Sequence, residues 1–263
     1  MSEGRDRGSG LRTIALLKLV AECEGPFTLG ELASKALLPP SSVHRLLQPL
    51  VREGLVERAA GQSYQAGSEF LRIASLVIRH VDVGRLARPI LQRLWEQWEE
   101  TSSLCLYKPD TQRAIVVETI QTPHPLRFVI EPFSELSLSW GSLGRSILAF
   151  LPPDDATSAL RRIGPGPLSG LPPPEDMETI VQDIRTWGFA HYRDETIDAA
   201  GVAAPVFRAD GTILGSLGVT APARRLTADR VSEIADTVMA AAEELSRMLG
   251  HVRQVASSAG RRR

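Results

Sequence analysis

The sequence predicts an α+β chain in two parts. A small helical head closed by a short hairpin comes first, and helices then lead into an antiparallel sheet flanked by helices. Three observations carry this reading. Residues Thr28 to Tyr64 read as helix, turn, helix and hairpin. Beyond Ser102 the apolar period falls to two, with turn residues between the runs. The 263 residues exceed the roughly 60–80 that such a head needs, so a second domain is expected. The expected partition is a flexible arm over 1–10, the head over 11–67, a helical linker and dimer contact over 68–101, the sheet domain over 102–250 and a disordered tail over 251–263.

The arm, Met1–Gly10, is polar, and its Arg5 and Arg7, with Arg12, are either phosphate contacts or part of a solvated tail. Leu11–Cys23 follows as a helix with an apolar stripe of Ile14, Leu16, Leu17, Leu19 and Val20. The next helix opens with Thr28 and, three residues later, Glu31, a reciprocal capping box. Leu37-Leu38-Pro39 is the turn. Pro40 suits the first turn of the following helix, where a missing N–H costs nothing.

That third helix carries the sharper pattern. Val43, Leu46, Leu47, Leu50 and Val51 fall on one face. The other face holds Ser41, His44, Arg45, Gln48 and Arg52, with Ser42 at its edge and no carboxylate. A helix entering the major groove needs such a face, since Arg reads guanine, Gln reads adenine and Ser takes a base edge or a phosphate. The candidate DNA contacts are Ser41, Ser42, His44, Arg45 and Gln48, with Arg58 on the hairpin. Pro49 lies inside this helix, removes the bond to the Arg45 carbonyl and introduces an expected bend at a cost of about 3 kcal/mol. After Gly54, Leu55–Arg58 and Ser63–Gln65 form the hairpin around Gly61.

The run ELASKALLPPSSVHRLLQPLVREGLVER resembles the winged helix–turn–helix of the IclR family of bacterial transcriptional regulators. The match rests on Ser41, Ser42, Val43, His44, Arg45, Leu46, Leu47, Gly54, Leu55 and Val56. The resemblance implies a DNA-binding regulator with a GAF-like effector domain.

Composition agrees with a folded chain that is not devoted to nucleic acid alone. It is 43% hydrophobic and 23% charged, enough for a core, and its net charge of −1 gives no overall basic field. Residues 1–80 hold ten Lys/Arg against eight Asp/Glu, a net of +2, which predicts few phosphate contacts. Cys23 and Cys105 read as buried free thiols. No signal peptide and no membrane-length apolar run is seen, so a cytoplasmic protein is expected.

Past the hairpin, Ser68 is the expected cap of a helix to about His80, apolar on several sides, which a dimer partner would cover. Asp82 starts a second helix with Leu86, Ile90, Leu94 and Trp98 on one side. A two-fold dimer, or a dimer of dimers, would then read a palindromic operator. Strands are expected at Ser102–Tyr107, Ala114–Ile120, Leu126–Ile130, Phe189–Tyr192, Val202–Phe207 and Ile213–Thr220. Helices are expected at Gly141–Leu151, near Asp155–Ile163, at Glu175–Trp187 and from Thr227 onward.

The second half resembles the effector domain of the same family through Leu143–Ala149, Trp187-Gly188-Phe189, Ala203–Phe207 and Ala221-Pro222. Together the two resemblances cover roughly Leu11–Leu249. They imply a small-molecule site at Ser142, Leu143, Gly144, Tyr192, Gly201, Gly218 and Thr220. Gly201 stands where many family members have Cys or Ser, Gly218 where a Ser is common, and Tyr192 where an acidic residue is common. The expected pocket is therefore roomier, suited to an aromatic or otherwise larger organic acid, although Gly in a strand also marks bulges.

No enzyme motif is present: no G-x-S-x-G, P-loop, H-E-x-x-H, C-x-x-C or G-x-G-x-x-G. His44, His80, His124, His191 and His251 lack metal spacing, so no metal or cofactor is expected. The reading is a ligand-responsive regulator, more repressor than activator. The alternative is a sensor module whose head serves protein contacts.

Overall fold

The computed structural model describes residues 3–23, 25–78, 82–174 and 176–252, without the side chains of 3–9, 75, 77 and 78. The chain divides into two units, Met1–Val81 and Asp82–Arg263.

The first unit contains α1 (Glu3–Ala21), α2 (Leu29–Ala36), α3 (Pro40–Arg52), β1 (Val56–Arg58), β2 (Tyr64–Ala66) and α4 (Ser68–Ile78). Its core joins Leu16 and Val20 of α1, Leu32 of α2, and Val43, Leu46, Leu47 and Leu50 of α3 to Val56 and Tyr64 of the hairpin. The expected loose arm is instead helical from Glu3. Once Leu16 and Val20 anchor the helix, each further turn adds hydrogen bonds without a new nucleus. The expected contacts Arg5 and Arg7 lie outside the described side chains.

The capping box at α2 forms in full: the Glu31 N–H donates to Thr28 Oγ1 at 3.2 Å, and the Thr28 N–H donates to Glu31 Oε2 at 2.7 Å. The Thr28 N–H and the Thr28 hydroxyl, both donating to the Glu31 carboxylate, hold it below its ordinary value. Leu37, at φ 52°, closes α2 in the left-handed region, with its N–H on the Ala33 and Ser34 carbonyls. Helix α3 runs unbroken through Pro49 to Arg52.

The wing pairs Val56 with Ala66 and Arg58 with Tyr64. Phe27 adds a bridge to Tyr64 that the sequence pattern did not suggest, with the two rings stacked at 6.3 Å. At its base Gly67 crosses Gly54 so closely that a Cβ on Gly67 would lie 2.1 Å from the Gly54 carbonyl oxygen. Ser68 is not the cap expected of it. It is the first residue of α4, and its N–H donates to the Glu57 carboxylate of the wing at 2.8 Å. That bond holds Glu57 below the ordinary carboxylate range. Within the chain, Leu71, Ile73 and Leu76 of α4 are exposed.

The second unit holds α5 (Val83–Trp98), β3 (Thr101–Lys108), β4 (Arg113–Ile120), β5 (Glu135–Ser137), α6 (Gly141–Ala149), α7 (Pro153–Arg161), α8 (Met177–Trp187), β6 (Ala190–Asp194), β7 (Ala199–Phe207), β8 (Ile213–Ala221) and α9 (Ala228–Met248). The strands form one antiparallel sheet in the order β5-β4-β3-β8-β7-β6. Alternation along each strand separates two cores. Leu217 and Val219 of β8 and Val202 and Val206 of β7 pack with α5 and α9. Cys105, Val116 and Ala203 pack on the other face with α6 and α8.

Two expectations are corrected here. Ile90 and Leu94 of α5 are buried in this unit's own core, with Leu86 and Trp98 packed against it. That face is therefore spent on the sheet and is not a free dimer surface. Leu126–Ile130 is not a strand. It lies in a strap between Pro125 and Pro132 that has no strand pairing. Phe128 and Ile130 turn into a cavity while Leu126 and Val129 face outward. The edge strand is β5 instead, entered through hydrogen bonds of Phe133 and Ser134 with Val116. Glu175 and the tail from 253 lie outside the described residues.

Candidate nucleic-acid interface and ligand cavity

The outer face of α3 stands as its sequence requires. Ser41, His44, Arg45 and Arg52 are exposed, and Ser42 and Gln48 are half-buried beside them. Gln48 Nε2 lies 3.1 Å from His44 Nε2, so these two side chains are already coupled along one turn. Arg58 is exposed on β1. Opposite them Val43 and Leu47 are fully buried, which fixes the rotation of the helix about its axis. The face offers donors and no carboxylate. Chemically it is suited to phosphates and base edges.

The second unit encloses a cavity of about 260 Å3 between the sheet, the entrance of α6 and the strap. Six of the seven expected residues border it: Ser142, Leu143, Gly144, Tyr192, Gly201 and Thr220. Strand register explains why they meet. Tyr192 pairs with Gly201 and Gly201 with Thr220, so β6, β7 and β8 contribute one cross-strand row. Helix α6 enters over that row. Its N-cap is Trp140, and no side chain caps it, which leaves the first N–H groups for an anion. Gly144 allows the close approach: a Cβ there would lie 1.9 Å from the Ser137 carbonyl oxygen.

Gly218 is the exception. A Cβ there would lie 2.3 Å from the Val202 carbonyl oxygen, so this glycine serves strand packing, with no register shift beside it. Two residues earlier on β8, Ser216 Oγ donates to the Leu143 carbonyl of α6 at 2.8 Å. Gly201 does not leave open space either. A Cβ there would meet Ser142 Oγ at 2.6 Å, so Ser142 occupies the room that the missing side chain vacates.

Polar groups are few. Tyr192 donates its hydroxyl to Asp194 Oδ2 at 3.1 Å, and the buried Arg145 guanidinium lies 4.9 Å from the centre of its ring. Burial first, and the Asp194 carboxylate second, push the Tyr192 phenol up to about 12. It therefore stays a neutral donor at physiological pH. Burial pulls Asp194 upward, yet the bonds from Tyr192, Thr196 and Ser169 hold it below its ordinary value. Burial lowers Arg145, whose Nε donates to the Ser139 carbonyl at 2.9 Å. At the rim, Glu135 pairs with Lys108 at 3.1 Å, and Arg113 has no carboxylate partner among the described residues.

Sequence reasoning missed the walls. Phe128 and Ile130 come from the strap, Trp140 from the turn before α6, Leu168 and Ser169 from the Pro/Gly-rich stretch, and Arg113 from β4. Only Trp140, next to the small-residue entrance of α6, carried a local signal.

Known protein families match both units of the chain. The model for the IclR helix-turn-helix domain matches residues 11–60, and that for the bacterial transcriptional regulator IclR C-terminal domain matches residues 75–247. The chain belongs to the IclR family. It is 27% identical to the regulator KipR of Bacillus subtilis over 92% of this chain and 96% of KipR. It is 26% identical to the transcriptional repressor IclR of Escherichia coli over 92% and 90% of the two chains. The crystal structure of HmgR from Pseudomonas aeruginosa superposes with a TM-score of 0.78 at 27% identity, covering 92% of this chain and 98% of HmgR. An IclR homologue from Microbacterium hydrocarbonoxydans, complexed with 4-hydroxybenzoate, shares the fold at a TM-score of 0.56 and 19% identity, over 91% and 98%.

As an IclR-family chain, the protein is a DNA-binding transcriptional regulator with an effector-binding C-terminal domain, and not an enzyme. The match of the head sets aside a winged domain kept for protein contacts. No helix among the described residues is long and apolar enough to cross a membrane.

Proposed function

We propose that the chain is a cytoplasmic repressor whose operator affinity is set by a small aromatic carboxylic acid in the cavity beneath α6. The single observation that carries this is the cavity's division. Phe128, Ile130, Leu136, Trp140 and Leu168 make apolar walls, and polar groups stand at the α6 entrance, at Thr220 and Tyr192, and at the rim with Arg113, Glu135 and Ser169. A carboxylate suits that entrance, and a ring suits those walls. The 4-hydroxybenzoate held by the Microbacterium homologue supports the ligand class, and the E. coli repressor supports the direction of control.

Ser41, Ser42, His44, Arg45, Gln48 and Arg58 are the proposed DNA contacts. The exposed Leu71, Ile73 and Leu76 of α4 support a homodimer or a dimer of dimers on a palindromic operator. The acid acts by population shift, changing operator affinity only by its differential affinity for the two states, typically about 1–3 kcal/mol.

The test is calorimetry of the full chain with 4-hydroxybenzoate, benzoate, acetate and glyoxylate, followed by anisotropy on DNA upstream of its own gene. Saturable binding of the aromatic acids alone, with release of the DNA, supports the reading. Saturable binding of only the two-carbon acids contradicts it.

A further inference from the structure

A second cavity, of about 360 Å3, lies on the other side of the Trp140 turn. Its walls come from the β3–β4 turn (Thr111, Gln112), Arg113, the Ser137–Trp140 segment and the end of α7 with Arg162. It differs in kind from the cavity beneath α6. Two guanidinium side chains and several hydroxyls line it, with no carboxylate. Neither Arg113 nor Arg162 has an ion-pair partner among the described residues.

Local structure holds this cavity in shape. Gln112 sits at φ 52°, and its Oε1 accepts from Ser158 Oγ of α7 at 3.4 Å, tying the turn to the helix. Trp140 Nε1 donates to the Gly164 carbonyl at 3.0 Å, which fixes the wall shared with the first cavity.

We propose that this cavity is a second ligand site and takes a small dicarboxylate. Arg113 and Arg162 stand on separate elements, so each can hold one carboxylate through paired N–H groups. The volume exceeds what a single phosphate or acetate fills. Because Trp140 and Arg113 border both cavities, occupation of the second tunes the first. The site stands independently of the ligand assigned to the first.

The experiment is calorimetry of the full chain with succinate, using acetate and inorganic phosphate at equal ionic strength as comparisons. The variants are R162E, R162Q and, for the first cavity, G201V, each checked by thermal melting. Arg162 is exposed, so its replacement leaves the melting temperature near native. The expected result is one succinate per chain, weakened about tenfold or more in R162E and R162Q and unchanged in G201V. Equal binding by R162E and native protein overturns the proposal. So does loss in G201V, which would place succinate in the first cavity, and so does succinate binding no tighter than acetate and phosphate. Native release of DNA by an aromatic acid alongside any of these results leaves the reading of the first cavity standing.

Discussion

The two units place their functional groups in opposite ways. In the head, five of the six candidate DNA contacts lie on the outer face of α3, with Arg58 on β1, and the buried face of the same helix orients them. In the effector unit, the cavity draws on α6, five strands, the strap and a Pro/Gly-rich loop, spread from Arg113 to Thr220. A local site tolerates single changes that leave its helix folded. A dispersed site depends on close backbone approaches, at Gly144 and Gly201, that one added methyl group disturbs.

The sharpest contrast is expected from Gly201→Val. Its Cβ would press Ser142 Oγ at 2.6 Å and the Val219 carbonyl oxygen at 3.1 Å, at the floor of the cavity. Calorimetry should show loss of acid binding, and anisotropy should show operator binding intact. Unfolding in a melting experiment would instead make Gly201 structural. The converse change is Leu47→Ala, which empties a fully buried site in the head core. It should destabilise the head by about 2–5 kcal/mol, read by denaturant unfolding, and abolish DNA binding while acid binding persists.

A smaller effect is expected from Arg45→Ala. If Arg45 reads a base, specific affinity falls by about 1–3 kcal/mol and the salt slope is kept. A uniform loss on all sequences, with a shallower slope, would make it a phosphate contact. The smallest effect is expected from Thr28→Ala, which removes one half of the capping box, at about 0.5–2 kcal/mol. Glu31 is lowered in the folded head, so its contribution is complete above the ordinary carboxylate value of 4.5. It is lost as pH falls through the lower folded value. The stability gap between native protein and variant should therefore narrow in acid, and a gap that widens would contradict the assignment.

The same local-versus-dispersed difference explains what was legible in the sequence. The capping box, the α3 turn and the buried face of α3 could be read because each lies within a few residues of its partners. The β7–β8 hairpin was equally plain through Asp210-Gly211, which forms the turn with Gly211 at φ 78°. The cross-strand row of Tyr192, Gly201 and Thr220 was reached only through resemblance, since register is invisible to periodicity. The apolar run at 126–130 reads as a strand because composition does not separate a segment that pairs from a strap whose Phe128 and Ile130 fill a cavity. Gly218 stands two residues before Thr220 on the same strand, yet it lies against the β7 backbone, a packing contact that sequence spacing does not show. The arm before Leu11 was misread because polar composition says little about whether an anchored helix continues.

The central claim is that acid in the cavity and operator on the head are coupled through two states of one chain. Linkage makes that testable in both directions. The acid must weaken operator binding by the same factor by which operator DNA weakens acid binding, roughly 5–150-fold. The measurement is a pair of titrations under one buffer: operator into chain with and without 4-hydroxybenzoate, and acid into chain with and without operator. Equal factors above one are the predicted result. Acid that binds tightly yet leaves operator affinity unchanged, or an operator that leaves acid affinity unchanged, would contradict the account.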